Sequence, residues 1–323
     1  MDVVSGVDSR RVMGTTWNAL PAEIRLQIFD LVVKQYRKER PNSIPIPHPP
    51  GLRRHFYSLP SRAPLTQCAA VCQEWNTFFE KWIWQYMILK QGDIQLFGEL
   101  TQGARRASVQ WVWLRFELPD YDCNECGLPW DKGVLRSIQN ELTQTIWDLF
   151  CVLSTWGQEP DEHRRGGLTL ELSLHSWSDM EHHFKELRVR ANDTAWAMVP
   201  REKRYDTRCF DDHKHGWVRG SRVTEPRSDE VRRVADAGEH LRFVPYGRVA
   251  IPPGQPTPHA LVVTSLVVRR QFYHNFPSRY LQPMMRLLPN LVHFKYEPVH
   301  NNNRSEWEDL KSHMLIELGY GGR

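Results

Sequence analysis

The stretch Leu20-Pro21-Ala22-Glu23-Ile24-Arg25-Leu26-Gln27-Ile28-Phe29-Asp30-Leu31-Val32-Val33-Lys34 decides how the N-terminal part of this chain is read. Pro21 suits a first helical turn, where its missing N–H leaves nothing unpaired. Glu23 lies at the positive end of the helix dipole, and Lys34, Arg37 and Lys38 follow at the negative end. At ~100° per residue, Leu20, Ile24, Ile28 and Leu31 share one face, and Leu26, Phe29 and Val33 share a second, nearly opposite one. Glu23, Gln27, Asp30 and Lys34 form a polar wedge between them. A surface helix needs one apolar stripe. Two stripes call for cover on two sides, one from the helix's own module and one from a second domain or a separate protein. On the wheel alone, a helix buried inside a single domain fits equally well.

Further on, Cys68, Val71, Cys72, Trp75, Phe78, Phe79, Trp82 and Ile83 recur at three- and four-residue spacing and predict a second helical stretch. Cys68 and Cys72, one turn apart on its stripe, read as small buried hydrophobes. Together, Leu20-Pro21-Ala22-Glu23-Ile24, Ile28-Phe29-Asp30-Leu31 and Ala69-Ala70-Val71-Cys72-Gln73-Glu74-Trp75-Asn76 resemble the F-box family, over residues 17–90. The remainder is similar to the C-terminal part of fungal F-box proteins. The resemblance implies a module that binds a Skp-type adaptor and, through it, cullin and RING subunits of a ubiquitin ligase. Leu20, Pro21, Ile24, Ile28 and Leu31 would contact the adaptor. Val71, Cys72 and Trp75 would pack the module or touch the adaptor. Ubiquitin-transfer chemistry then sits in other subunits, so no catalytic residue and no cofactor is expected here. The chain departs from the family in a proline-rich insertion at 37–64, whose prolines from Pro41 to Pro64 predict an extended surface loop.

Residues 91–323 alternate strand-like and helix-like stretches. Strands are predicted at 109–118, 168–172, 240–244, 261–269 and 291–296, and helices at 140–156, 180–189, 280–288 and 305–318. Such alternation argues for parallel strands with helical crossovers. Two architectures fit, an open doubly wound sheet and a leucine-rich-type solenoid, and the first lacks its usual support because no nucleotide fingerprint follows any strand. Leu287-Leu288-Pro289-Asn290-Leu291-Val292-His293-Phe294 looks like a degenerate leucine-rich repeat. The expected fold is therefore α+β in several parts: a disordered N-terminus over 1–16, the helical F-box module over 17–90, and an irregular leucine-rich-type α/β solenoid over 91–323 that receives a protein substrate, with a concave face as the natural partner surface. Polar Asn192–Glu239 and proline-rich Pro245–Pro258 read as long loops. The end at Gly319-Tyr320-Gly321-Gly322-Arg323 suggests a shortened solenoid lacking its polar cap.

A rival constellation is Cys123-x-x-Cys126 followed by Cys209-x-x-x-His213, with His215 as a further option. Two thiolates in a turn-rich loop and a distant Cys/His pair form a possible tetrahedral zinc set. The alternative is a pair of free cysteines beside a tight turn. A redox role fits poorly, because Gly127 and Pro129 follow the motif where a helix should begin. The histidines His182, His183, His213 and His215, with acidic neighbours, invite a hydrolase reading, yet no HExxH, GxSxG or fixed Ser/His/Asp spacing accompanies them. Two other functions stay open: an F-box scaffold acting outside degradation, and a zinc-binding α/β protein.

Composition bounds the rest. The chain has 323 residues, 41% hydrophobic and 25% charged, as in ordinary soluble domains. Its thirteen Trp supply material for a large core. The net charge of +4 is spread through mixed runs such as Arg37-Lys38-Glu39-Arg40, which speaks against nucleic acid as a partner. The first sixteen residues are no secretory signal, and no apolar run approaches the ~20 residues that span a bilayer. Six irregularly spaced Cys fit a reducing compartment, cytoplasmic or nuclear.

Overall fold

The computed structural model describes residues 17–39, 63–157, 167–185, 211–239, 241–243, 257–268, 274 and 276–296. The chain divides into two compact units, residues 1–60 and 61–323. In the first, helix α1 (Ala22–Glu39) follows a short turn at Trp17–Ala19. Phe29 and Val33 are buried, and the Trp17 ring tilts against Phe29 at 5.4 Å.

In the second unit, α2 (Ala63–Ala69) and α3 (Gln73–Trp84) pack together. The expected loop therefore ends earlier than Pro64, which sits in the first turn of α2, where proline is tolerated. At its other end the insertion expected from 37 begins inside α1, which runs on to Glu39, and residues 40–62 lie outside the described ones, as do 1–16. The fold continues with β1 (Tyr86–Leu89), α4 (Ile94–Leu100), α5 (Ala104–Ser108), β2 (Trp111–Glu117), α6 (Lys132–Ser154), β3 (Leu168–His175) and α7 (Trp177–Glu181). A hairpin of β4 (Trp217–Val218) and β5 (Ser221–Arg222), helix α8 (Ser228–Glu239), β6 (Val263–Val268), α9 (Ser278–Met285) and β7 (His293–Tyr296) complete it.

This is a mixed α/β architecture around a five-stranded, all-parallel sheet in the order β1-β2-β3-β6-β7. Spatial order follows chain order, so no strand reversal creates the crevice typical of doubly wound sheets. Period-two alternation sorts the strands' residues. Val112, Leu114 and Phe116 of β2 face the same core as Leu170, Leu172 and Leu174 of β3 and Leu266 and Val268 of β6. Helices α4, α6 and α9 bury Phe97, Leu142, Ile146, Phe150, Leu281 and Met284 in that core. The other side of β2 and β3 carries Trp111, Trp113, Arg115 and Glu117 beside Glu171, Ser173 and His175. Its bonds run diagonally across the register: Trp111 Nε1 donates to Glu171 at 3.0 Å, Trp113 Nε1 to Ser173 Oγ at 2.8 Å, and Arg115 Nε to His175 Nε2 at 3.1 Å.

The strands expected at 109–118, 168–172, 261–269 and 291–296 match β2, β3, β6 and β7. Helix α6 begins eight residues before the expected 140, because Asp131 caps it by accepting from the Gly133 and Val134 amides. Four expectations need correction. The helix expected at 180–189 is the earlier and shorter α7, followed by turns through Lys185. Residues 241–243 form no strand, although Leu241 and Phe243 are core residues. The loop expected over 192–239 contains the β4–β5 hairpin and α8. Tyr86–Leu89, read as part of the helical module, is a strand of the sheet. The helix expected at 305–318 lies outside the described residues.

Candidate functional site

The residues expected at the adaptor contact are exposed in varying degree. On α1, Ile24 is 41% and Leu31 63% exposed, Pro21 is exposed, and Leu20 and Ile28 are partly buried. The second stripe splits: Phe29 and Val33 are covered, but Leu26 remains 50% exposed. In the other unit Val71 is 61% exposed, Cys72 is exposed, and Trp75 is partly buried with its ring tilted on Phe79 at 5.6 Å. Cys72 is thus not the buried hydrophobe the spacing suggested. It stands in extended backbone as the N-cap of α3, outside the helical stripe. Cys68 is partly buried, and burial pushes its thiol pKa up.

The second site is built at the carboxyl ends of β2 and β3. The parallel register sets the loop after β2 beside the turn after β3. That loop holds Cys123 and Cys126, and the turn holds His182 and His183. A third segment, ahead of β4, brings in His215. Cys123 Sγ lies 3.6 Å from His182 Nδ1 and 3.6 Å from His215 Nε2, and Cys126 Sγ lies 3.7 Å from the same His215 nitrogen. Two ligand-type triads result, Cys123–His182–His215 and Cys126–His183–His215.

No known protein family, curated protein or solved structure matches this chain.

Each piece of the cluster is held by its own partners. Arg233 of α8 donates to the carbonyls of Glu125 at 2.9 Å and Leu128 at 2.8 Å, and its guanidinium lies 4.1 Å and 4.3 Å over the rings of Tyr121 and Trp130. The Cys123–Cys126 loop is fixed from outside by these contacts. Trp217 Nε1 and Arg222 both donate to the His183 carbonyl, at 3.1 and 3.0 Å. Gly216, at φ 76°, makes the turn after His215, and a Cβ there would come within 2.5 Å of the Thr224 carbonyl oxygen. His215 Nδ1 lies 2.7 Å from Asp212, which also pairs with Lys185 at 2.8 Å. His182 Nε2 lies 3.2 Å from the Tyr121 carbonyl. These outer bonds place N–H on the remote nitrogens and leave lone pairs toward the sulfurs.

Burial pushes His182 below its ordinary pKa and His183 down to about 4, the latter despite Glu230 3.4 Å away. It pushes the Cys126 thiol up. Of the expected zinc set, the structure assembles Cys123 and Cys126 with the optional His215. His213 is exposed and outside both triads, and Cys209 lies outside the described residues. In the sequence His182 and His183 were grouped with His213 and His215 as a possible hydrolase cluster, and not with the cysteines. Asp212, Tyr121 and Arg233 carried no sequence signal.

A buried polar network lies at the same end of the sheet. His274 Nε2 and Tyr121 Oη each sit 2.7 Å from Asp179, on different carboxylate oxygens. Arg115 is fully buried, with its guanidinium 4.7 Å over the Trp177 ring. Burial and the Arg115 charge push His175 down to about 4 despite Glu117. Burial also works against the Glu117 carboxylate, but bonds from His175 and Lys90 outweigh it and hold its pKa at about 2. Trp113, Arg115, Glu171, Ser173 and His175 are all buried, so this face of β2 and β3 is covered. Among the described residues no helix is long and apolar enough to cross a membrane.

Proposed function

We propose that this chain is the substrate-receptor subunit of a Skp–cullin–F-box ubiquitin ligase, docking a Skp-type adaptor through α1 and recruiting a protein substrate through the α/β unit. One observation carries the reading: Ile24 and Leu31, at the positions where the F-box resemblance puts adaptor contacts, keep much of their apolar surface exposed. Large exposed aliphatics clustered on one helix mark a surface that meets another macromolecule. Val71 and Cys72, at matching positions in the second half of the pattern, are also exposed.

The α/β unit supports the same reading less directly. Parallel strands in chain order, with α4, α6 and α9 contributing to one core, are what a short leucine-rich-type solenoid produces. The covered face over β2 and β3 moves the substrate surface elsewhere, toward the sheet edges or the loops at the strand ends. The chemistry of ubiquitin transfer belongs to the partner subunits in this scheme.

Affinity purification of the full chain from its native cells, read by mass spectrometry, tests the proposal. Recovery of the adaptor with cullin and RING subunits, lost on deleting residues 17–39, is the expected result. Recovery of the adaptor alone would favour the scaffold role, and recovery of none of them would remove the ligase reading.

A further inference from the structure

We propose that Cys123, Cys126, His182 and His215 form a structural zinc site that ties the loop after β2, the turn after β3 and the segment before β4 to one another. Three sulfur–nitrogen edges already have tetrahedral length, while the two sulfurs sit in separate triads that share His215, so binding would draw Cys126 toward Cys123 and His182. Zinc binds thiolate at about 2.3 Å and imidazole at about 2.0–2.1 Å, and a tetrahedron with those bonds has sulfur–nitrogen edges of about 3.6 Å. The three measured edges are 3.6, 3.6 and 3.7 Å.

Two sulfurs converge on the one lone pair of His215 Nε2, whose ring Asp212 orients. A cation between them takes an electron pair from each of the three atoms, whereas in its absence Cys126 Sγ falls back on the Cys123 carbonyl at 3.4 Å and Cys123 Sγ on His182 Nδ1 at 3.6 Å.

The outer shell points the same way. Metal-binding imidazoles characteristically donate their remote N–H to a carboxylate or a backbone carbonyl, which fixes ring and tautomer. His215 has the carboxylate of Asp212, and His182 has the carbonyl of Tyr121. Charge also balances: two thiolates neutralise a divalent ion, and Lys185 neutralises Asp212. Binding releases the two thiol protons to solvent. Two thiolates and two imidazoles fill a tetrahedron and leave no position for a reacting water, so the site holds structure rather than performing catalysis. His183, whose Nε2 lies 3.4 Å from Glu230, stays outside the first coordination sphere.

Elemental analysis of the purified full chain tests the site. About one zinc per chain is expected, lost in C126S and in H215Q, and retained in H213Q and H183Q. Should C126S or H215Q fail to fold, two further measurements carry the test. Wild-type protein exchanged into cobalt should show thiolate-to-cobalt charge transfer and the strong visible bands of a tetrahedral site. The variant D212N should fold and give up metal to a competing chelator at about 10- to 100-fold lower concentration. Metal-free wild-type protein with no thiolate–cobalt spectrum overturns the proposal. So does zinc that persists in C126S and H215Q. Loss of zinc in H183Q with retention in H182Q overturns the assignment of the fourth ligand.

Discussion

Replacing Leu31 by Ala separates binding from folding, because Leu31 leaves 63% of its surface exposed on α1. Full burial of a leucine side chain is worth about 1.5–3 kcal/mol. Covering the exposed portion in a complex is then worth roughly 1–2 kcal/mol, a factor of about 5–30 in affinity. The same change should alter stability by no more than about 0.5 kcal/mol, since it removes little buried surface and puts a better helix former in place. Phe29, on the opposite stripe and fully buried, provides the contrast. Its replacement by Ala should cost about 3–5 kcal/mol of stability. Calorimetric titration with purified Skp-type adaptor gives the affinities, and urea midpoints with unchanged slope give the stabilities. Adaptor affinity unaltered in folded Leu31→Ala protein refutes the assignment of this face. A large stability loss in Leu31→Ala shows that the face serves the chain's own fold instead.

Two further outcomes test the α/β unit. His175 has its pKa depressed to about 4 by burial, against ~6.5 when unfolded, so its neutral form supports folding fully above pH ~6.5. That support drains away as pH falls toward 4, by roughly 1.4 kcal/mol per pH unit, and the difference in unfolding free energy between wild type and His175→Gln should shrink over that window. Asp131→Ala leaves the Gly133 and Val134 amides of α6 without their acceptor and should cost about 1 kcal/mol, read from the urea midpoint.

Much of the sheet was legible because β2 is a run rich in Trp and Val and β3 alternates apolar and polar residues. Leu168-Thr169-Leu170-Glu171-Leu172 shows that period directly, but Trp111-Val112-Trp113-Leu114 is a continuous apolar run, and only the structure assigns Val112, Leu114 and Phe116 to the core. Strand β1 was not, since Tyr86-Met87-Ile88-Leu89 directly extends the apolar run of α3, and a short apolar run has no period of its own. Helix α8 hid in a charged sequence, where the buried Val234 is a sparse apolar signal. The first eight of α6's 23 residues were missed for a similar reason: between Lys132 and Gln139 only Val134, Leu135 and Ile138 are large apolar residues, and the decisive residue, Asp131, precedes the helix. In the Cys/His cluster, Cys123-x-x-Cys126 was visible because its two cysteines are neighbours in sequence. His182 joins it only through the parallel pairing of β2 with β3, which no local pattern encodes. The apolar character of both α1 stripes was readable on the wheel, but the burial of Phe29 beside the exposure of Leu26 on one stripe was not.

The ligase assignment stands or falls on reconstitution. Purified full-length chain and purified Skp-type adaptor, mixed at micromolar concentration and passed through a sizing column with light-scattering detection, should co-elute as a one-to-one complex that the Leu20→Ala/Pro21→Ala double variant fails to form. Separate elution of wild-type chain and adaptor, each folded and each at its own mass, contradicts the account.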